Sequence, residues 1–213
     1  MKILLMGATG LTGQSFLALA LAHPEITEVV APTRRPLPVH PKLMNPVMDF
    51  TAWDLQAPWW AAEAYVCCLG TTLRAAGSPE AFRRVDLDWV CRLGDLAKVH
   101  RVKTFSVVSS LKASSQSTHL YLRTKGEMED YLVGLHLNSL TLIQPSFLRG
   151  GSRPSFRLGE FLLLAALAPF ASLIPQTWRP ISVLQVSRAL LRTCLQSSPG
   201  IHRLPSKDLH ALL

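Results

Sequence analysis

The motif Gly7-Ala8-Thr9-Gly10-Leu11-Thr12-Gly13 constrains this chain more than any other feature. It joins an apolar run, Lys2–Met6, to a segment from about Leu11 to Ala22 that reads as a helix and stops at His23-Pro24, because proline disfavours helix in the residue before it. Glycines at Gly7, Gly10 and Gly13 permit a tight turn and a close backbone approach to a pyrophosphate. The helix N-terminus then meets that negative charge with its unpaired N–H groups. No Gly-Lys-Ser/Thr follows, which excludes a P-loop.

Strand-like and helix-like segments alternate beyond this point. Residues 27–32, 64–69, 103–108 and 139–143 read as strands, and a third short strand is expected near Pro46–Met48 after a proline-rich passage. Ser78-Pro79-Glu80 has the capping serine, first-turn proline and acidic residue of a helix start. Phe82, Val85, Trp89, Leu93 and Leu96 follow at spacings of three and four, as one apolar stripe. A further helix is expected from roughly Thr118 to Leu135, with Tyr121, Lys125, Met128, Leu132 and Leu135 on one face. Such alternation predicts an α/β fold with a doubly wound parallel Rossmann sheet. One domain over residues 1–213 is expected. Residues from about 145 onward form a small C-terminal lobe, with an apolar segment at 156–170, a loop at Trp178–Ile181 and a helix from about Ser182 to Gln196. Ligands of such sheets sit beyond the carboxyl ends of the strands.

Apolar residues at 48% and charged residues at 17% supply a packed core and exclude disorder. The net charge of +8 comes from basic residues scattered in ones and twos, so the reading is a solvated surface and a phosphate-rich ligand, with no nucleic acid. Cys67, Cys68, Cys91 and Cys194 have neither CxxC spacing nor clustered histidines, so they read as reduced structural thiols with no metal. The apolar stretch Phe161–Ile174 contains Pro169 and is too short to span a bilayer. With no signal-peptide pattern at the N-terminus, the expectation is a cytoplasmic protein.

An NAD site usually places a carboxylate at the end of the second strand, on the ribose hydroxyls. Residues 29–48 contain no Asp or Glu, and Arg34 and Arg35 stand at that strand end instead. Guanidinium groups match a 2′-phosphate by charge and by paired donors, which points to NADP(H).

Tyr121 and Lys125 lie one helical turn apart on the same face. A free phenol with a pKa of about 10 is a poor proton donor or acceptor at neutral pH, and an adjacent ammonium stabilises its phenolate. Ser109, at the end of the strand 103–108, is placed to hydrogen-bond a substrate carbonyl oxygen, as is Ser110. A Tyr-x-x-x-Lys pair means little alone. Its weight comes from the order glycine loop, arginine pair, strand ending in Ser-Ser, tyrosine helix.

These stretches resemble the short-chain dehydrogenase/reductase superfamily, and within it the atypical subgroup of Tat-interacting oxidoreductase-like proteins. The likeness runs through GATGLTG at 7–13, TRR at 33–35, CCLGTT at 67–72 and FRRVDLDWV at 82–90. It continues with VVSS at 107–110, YLRTKGEMED at 121–130 and WRPISVLQVSRAL at 178–190. The resemblance implies that Gly7, Thr9, Gly10, Leu11, Thr12 and Gly13 bind the pyrophosphate and Arg34 and Arg35 the 2′-phosphate. It also implies that Leu69 and Gly70 border the adenosine. Tyr121 becomes the proton donor, Lys125 its partner and a ribose ligand, and Ser109 an assistant. The chain departs from the subgroup's pattern at Gln144-Pro145, where an arginine usually precedes the proline. Asp86, on the inner side of its helix, stands where related enzymes often carry Asn or Asp, and is expected to support the site from behind the residues that touch ligand.

The expected function is an NADPH-dependent oxidoreductase acting on a small-molecule carbonyl or alcohol. Two alternatives are an epimerase or dehydratase that uses its cofactor transiently, and a non-catalytic NADPH-binding redox sensor. His119 reads as a helix-entry residue, and Phe161–Ala168 as a packing helix or a homodimer face.

Overall fold

Alternate residues of the first strand, β1 (Lys2–Met6), feed two separate cores. Leu4 and Met6 join one apolar cluster, while Ile3 and Leu5 join another on the opposite face. A strand buried on both sides needs helices on both sides, and that requirement organises the rest. The computed structural model describes residues 1–149 and 179–211 of the chain.

The strands that follow are β2 (Glu28–Val30), β3 (Leu43–Met44), β4 (Ala64–Cys67), β5 (Thr104–Val108), β6 (Ser139–Gln144) and β9 (Gly200–Pro205). They form one seven-stranded sheet in the order β3-β2-β1-β4-β5-β6-β9, with every pairing parallel. The order reverses between β1 and β4, so a crevice opens beyond their carboxyl ends. A separate pair, β7 (Leu148–Arg149) and β8 (Ile181–Ser182), is also parallel.

Helices α1 (Leu11–Ala22) and α6 (Val183–Gln196) cover one face, with Phe16, Ala20, Val186 and Leu190 buried against Ile3, Leu5 and Val66. Helices α4 (Trp89–Val99) and α5 (Leu120–Gly134) cover the other, with Leu93, Met128 and Leu132 packed on Tyr65, Phe105 and Leu142. The doubly wound Rossmann sheet read from the sequence is present.

Three departures have local causes. The third strand forms at Leu43–Met44 rather than at Pro46–Met48, where only an isolated Thr33–Val47 bridge remains. Pro46 accepts from Thr33 N through its carbonyl but has no N–H to return. Strand β9 and the helix Ser206–Ala211 lie in a stretch whose exposed strand residues give no apolar run to read. The helix begun by Ser78, whose hydroxyl accepts from Ala81 N, does not continue regularly. Residues Arg84–Asp88 form a π-helical turn before α4. The extra residue of such a turn rotates everything after it. Asp86 and Val90 are therefore buried where the three-four spacing assigns Val85 and Trp89, which are only half-buried. The apolar segment at 156–170 and Trp178 lie outside the described residues.

Candidate active site

The turn after β1 leaves no room for side chains. Gly7 has a φ of +86°, and a Cβ there would stand 2.6 Å from the Cys68 carbonyl carbon. A Cβ on Gly13 would fall 2.0 Å from the Gly7 oxygen. Gly10 begins α1 without a side-chain cap, and no acidic residue occupies the first turn. The helix therefore offers backbone N–H groups and positive potential to whatever lies in front of it.

What lies in front is a cleft of about 250 Å³. Gly10, Leu11 and Thr12 line one side, Cys68, Leu69 and Gly70 the floor beyond β4, and Ser109, Ser110, Tyr121 and Lys125 the other side. Thr9 is exposed, and neither it nor Gly7 nor Gly13 lines the cleft. Pro145, Ser146 and Leu148, after β6, close the wall. Ser146 is fixed from both sides: its N–H donates to Ser206 Oγ at 2.6 Å and its hydroxyl to Arg179 O at 2.6 Å.

Arg34 and Arg35 do not line this cleft. They stand exposed on the turn after β2, with no ion pair to a described residue. Their turn is pinned beneath them: Thr33 Oγ1 donates to Arg35 O at 2.6 Å, and Asn45 Nδ2 donates to Thr33 Oγ1 at 2.8 Å.

Helix α5 carries two residues of opposite accessibility. Tyr121 is 44% exposed, its ring 5.9 Å from that of Phe82. Lys125 is only 3% exposed. Its ammonium lies 2.8 Å from Asp86 Oδ1 and donates to Val108 O at 3.4 Å. Burial alone would push that ammonium's pKa down. The carboxylate of Asp86, with a smaller contribution from Tyr121, outweighs it and holds Lys125 above the ordinary lysine value. Asp86, 0% exposed, also accepts from Thr71 N at 2.8 Å through Oδ2. Asp86 was expected on the inner side of its helix; the π turn that carries it and its ion pair with Lys125 were not.

Ser109 reaches the cleft, but its hydroxyl donates to Glu129 on α5. Gln144 Nε2 donates to both oxygens of the same carboxylate, at 3.0 and 2.9 Å. Glu129 follows Lys125 by one helical turn, a spacing visible in the sequence, whereas its burial is not. Gln144 was legible only as a departure from the pattern.

The fold and cleft define a Rossmann domain of the short-chain dehydrogenase/reductase type. No family model matches the chain. Protein HTATIP2 of Rattus norvegicus is 33% identical in an alignment 223 residues long that spans 100% of this chain and 88% of the relative. The chain thus belongs to the HTATIP2 family of atypical short-chain dehydrogenases/reductases. Protein FMP52, mitochondrial, of Meyerozyma guilliermondii is 33% identical over 177 residues, covering 82% of this chain and 75% of its own. Among solved structures, MoeE5 in complex with UDP-glucose and NAD superposes with a TM-score of 0.74 at 19% identity, over 96% of this chain and 75% of that one. The oxidoreductase ylbE from Lactococcus lactis gives 0.66 at 18% identity, over 100% and 96%. These two likenesses speak to the fold.

The expectation of a cytoplasmic protein is overturned by the same relatives, since FMP52 proteins from several yeasts carry a mitochondrial designation. The lack of a readable secretory pattern at the first residues selects no compartment. Among the described residues no helix is long and apolar enough to cross a membrane.

Proposed function

We propose that the chain is an NADPH-dependent oxidoreductase that interconverts a carbonyl and the corresponding alcohol on a small molecule. One observation carries this reading: Tyr121, Lys125 and Ser109 line the same cleft as the uncapped N-terminus of α1.

The residues fit the cofactor. Gly7 and Gly13 let the turn pack tightly on its own backbone, and the uncapped first turn of α1 provides donors where a pyrophosphate needs them. Gly7, Thr9, Gly10, Leu11, Thr12 and Gly13 would hold the pyrophosphate, Arg34 and Arg35 the 2′-phosphate, Leu69 and Gly70 the adenosine side, and Lys125 the nicotinamide ribose. When bound, the nicotinamide supplies or accepts the hydride.

The chain's own part is proton management. Negative charge develops on a carbonyl oxygen as it is reduced, so a donor there stabilises the transition state more than the ground state. Tyr121 is that donor. Lys125 has three N–H bonds; Asp86 and Val108 O take two directions, which leaves one for the ribose, while the ammonium's charge acts on the tyrosine oxygen. Asp86 keeps the ammonium charged and fixed, and Thr71 N fixes Asp86. We read residues 1–213 as one unit, with the chain after Gln144 shaping the substrate side, and take its compartment to be mitochondrial on the FMP52 names.

Calorimetric titration with NADPH and NADH, followed by NADPH oxidation against a panel of aldehydes and ketones, tests the reading. Preference for NADPH with turnover supports it. Binding without turnover on any carbonyl would leave a cofactor-binding regulator instead.

A further inference from the structure

A serine hydroxyl has one proton and two lone pairs. In this structure the Ser109 proton is committed inward, to Glu129. Ser109 is 3% exposed and Glu129 5%. The carboxylate is gripped from a third element as well, by the Gln144 amide at the end of β6. With its proton so engaged, Ser109 has only lone pairs to offer the cleft. It can accept from a substrate hydroxyl but cannot donate to a substrate carbonyl.

We propose that Glu129 is a positioning residue that sets the hydrogen-bonding sense of Ser109. As a carboxylate it makes Ser109 an acceptor suited to an alcohol. As a carboxylic acid it donates to Ser109 Oγ, turns the serine proton outward, and makes Ser109 a donor suited to a carbonyl. The inference rests on the oxidoreductase reading and specifies how the same site distinguishes its two substrates. The step is a proton exchange with solvent: Glu129 gains the proton as pH falls and returns it as pH rises.

The surroundings hold this carboxyl above the ordinary glutamate range. Burial pushes it up, and Asp130 on α5 adds to that. The Ser109 and Gln144 hydrogen bonds and the charge of Arg203 on β9 pull it down, and the balance lies above the ordinary glutamate value. Gln144, which contacts both oxygens, is neutral. Lys125, one turn away on α5, is held by Asp86 at 2.8 Å.

Infrared spectroscopy of the full chain across a pH titration tests the coupling without any substrate. A protonated-carboxyl component that appears above the range of the ordinary carboxylates is expected as pH falls, and Glu129→Gln should lack that component. Ser109→Ala removes a donor to the charged form, so the midpoint should rise by about one pH unit. Gln144→Arg adds a full positive charge and should lower it. In the kinetic arm, kcat/KM for carbonyl reduction should fall by up to about tenfold per pH unit above that midpoint, and alcohol oxidation should rise. Glu129→Gln, whose amide N–H donates permanently to Ser109, should lose that limb. An infrared midpoint unmoved in both Ser109→Ala and Gln144→Arg would overturn the proposal, as would an unchanged pH limb in Glu129→Gln. Should no carbonyl be turned over, the oxidoreductase reading fails, while the infrared midpoints still decide whether Glu129 governs Ser109. The Ser109 and Gln144 variants carry the test if Glu129→Gln does not fold.

Discussion

Lys125 Nζ lies 2.8 Å from Asp86 Oδ1, and the two side chains are 4% and 1% exposed. Both charges are largely withdrawn from solvent, so each depends on the other. Removing one partner of a buried pair leaves an uncompensated charge, which costs on the order of 3 kcal/mol. Asp86→Ala should therefore lower the urea midpoint strongly at neutral pH with little change in slope. The sign with pH follows from Lys125, whose folded pKa is raised. Its contribution is fully present below the free-lysine range, about pH 10, and fades as pH rises through the folded value. The gap between wild type and variant should narrow in strong alkali. Equal midpoints at neutral pH would remove the pair from the stability of the fold.

The arginine turn is exposed and pinned by Thr33 and Asn45. Replacing Arg34 and Arg35 together with alanine should erase a preference for NADPH of about tenfold or more, roughly 1.4 kcal/mol, and leave NADH affinity nearly unchanged. Asn45→Ala keeps both charges but frees the turn, and should reduce the preference in part. Calorimetry that finds equal affinities for the two cofactors in the unmodified protein would sink the arginine argument.

The parts of this molecule legible in its sequence are those where one local rule decides. Gly7 and Gly13 were readable because no side chain fits there, and the Lys2–Met6 strand because both its faces are buried. Tyr121 and Lys125 share a face by helical geometry alone. Asp86 is buried on the inner side of its helix, as expected, but its pairing with Lys125 was not legible, because a π turn changes the period within the helix and nothing in Arg84–Asp88 announces it. Glu129 was passed over because a carboxylate on a helix is ordinarily solvated. Its burial depends on Ser109 and Gln144 arriving from two separate strands. Strand β9 pairs along β6 through Gly200–Pro205 while presenting exposed residues such as Ile201 and Arg203, so no hydrophobic run marks it. What escaped reading was set by tertiary neighbours.

Gly13 sits under the turn it supports. A Cβ added there would meet the Gly7 carbonyl oxygen at 2.0 Å, and that oxygen is backbone that already accepts from Gly10 N at 3.0 Å. Gly13→Ala must displace the loop, with an overpacking cost of about 1–3 kcal/mol. Thermal unfolding should shift down, and affinity for both NADPH and NADH should fall together, because the pyrophosphate cradle is common to them. A variant that binds both normally would show the loop to be more tolerant than its packing implies.

Burial pushes the thiols of Cys67 and Cys194 up to about 12. Since the thiolate is the reactive form, both should resist a disulfide-exchange reagent at neutral pH and react only on unfolding. Rapid labelling of either in the native protein, located by mass spectrometry, would contradict the packing around them.

Tyr121→Phe separates chemistry from architecture. The ring remains, and with it the contact to Phe82 at 5.9 Å, so the unfolding midpoint should barely move. The hydroxyl is lost, and with it the proton delivered to the substrate oxygen, which should lower turnover by about a hundredfold or more. NADPH affinity should stay near normal, because the phenol is assigned no contact with the cofactor's phosphates. Lys125→Ala should differ by impairing turnover and binding together, since the ammonium serves both the tyrosine oxygen and the ribose. It should also destabilise the fold by stranding Asp86. The pair of variants therefore gives distinct signatures in calorimetry and kinetics. Unchanged turnover in Tyr121→Phe, measured on a carbonyl the unmodified protein reduces, would take Tyr121 out of the mechanism and leave Ser109, a donor only while Glu129 is protonated, or His119 as the donor to test next.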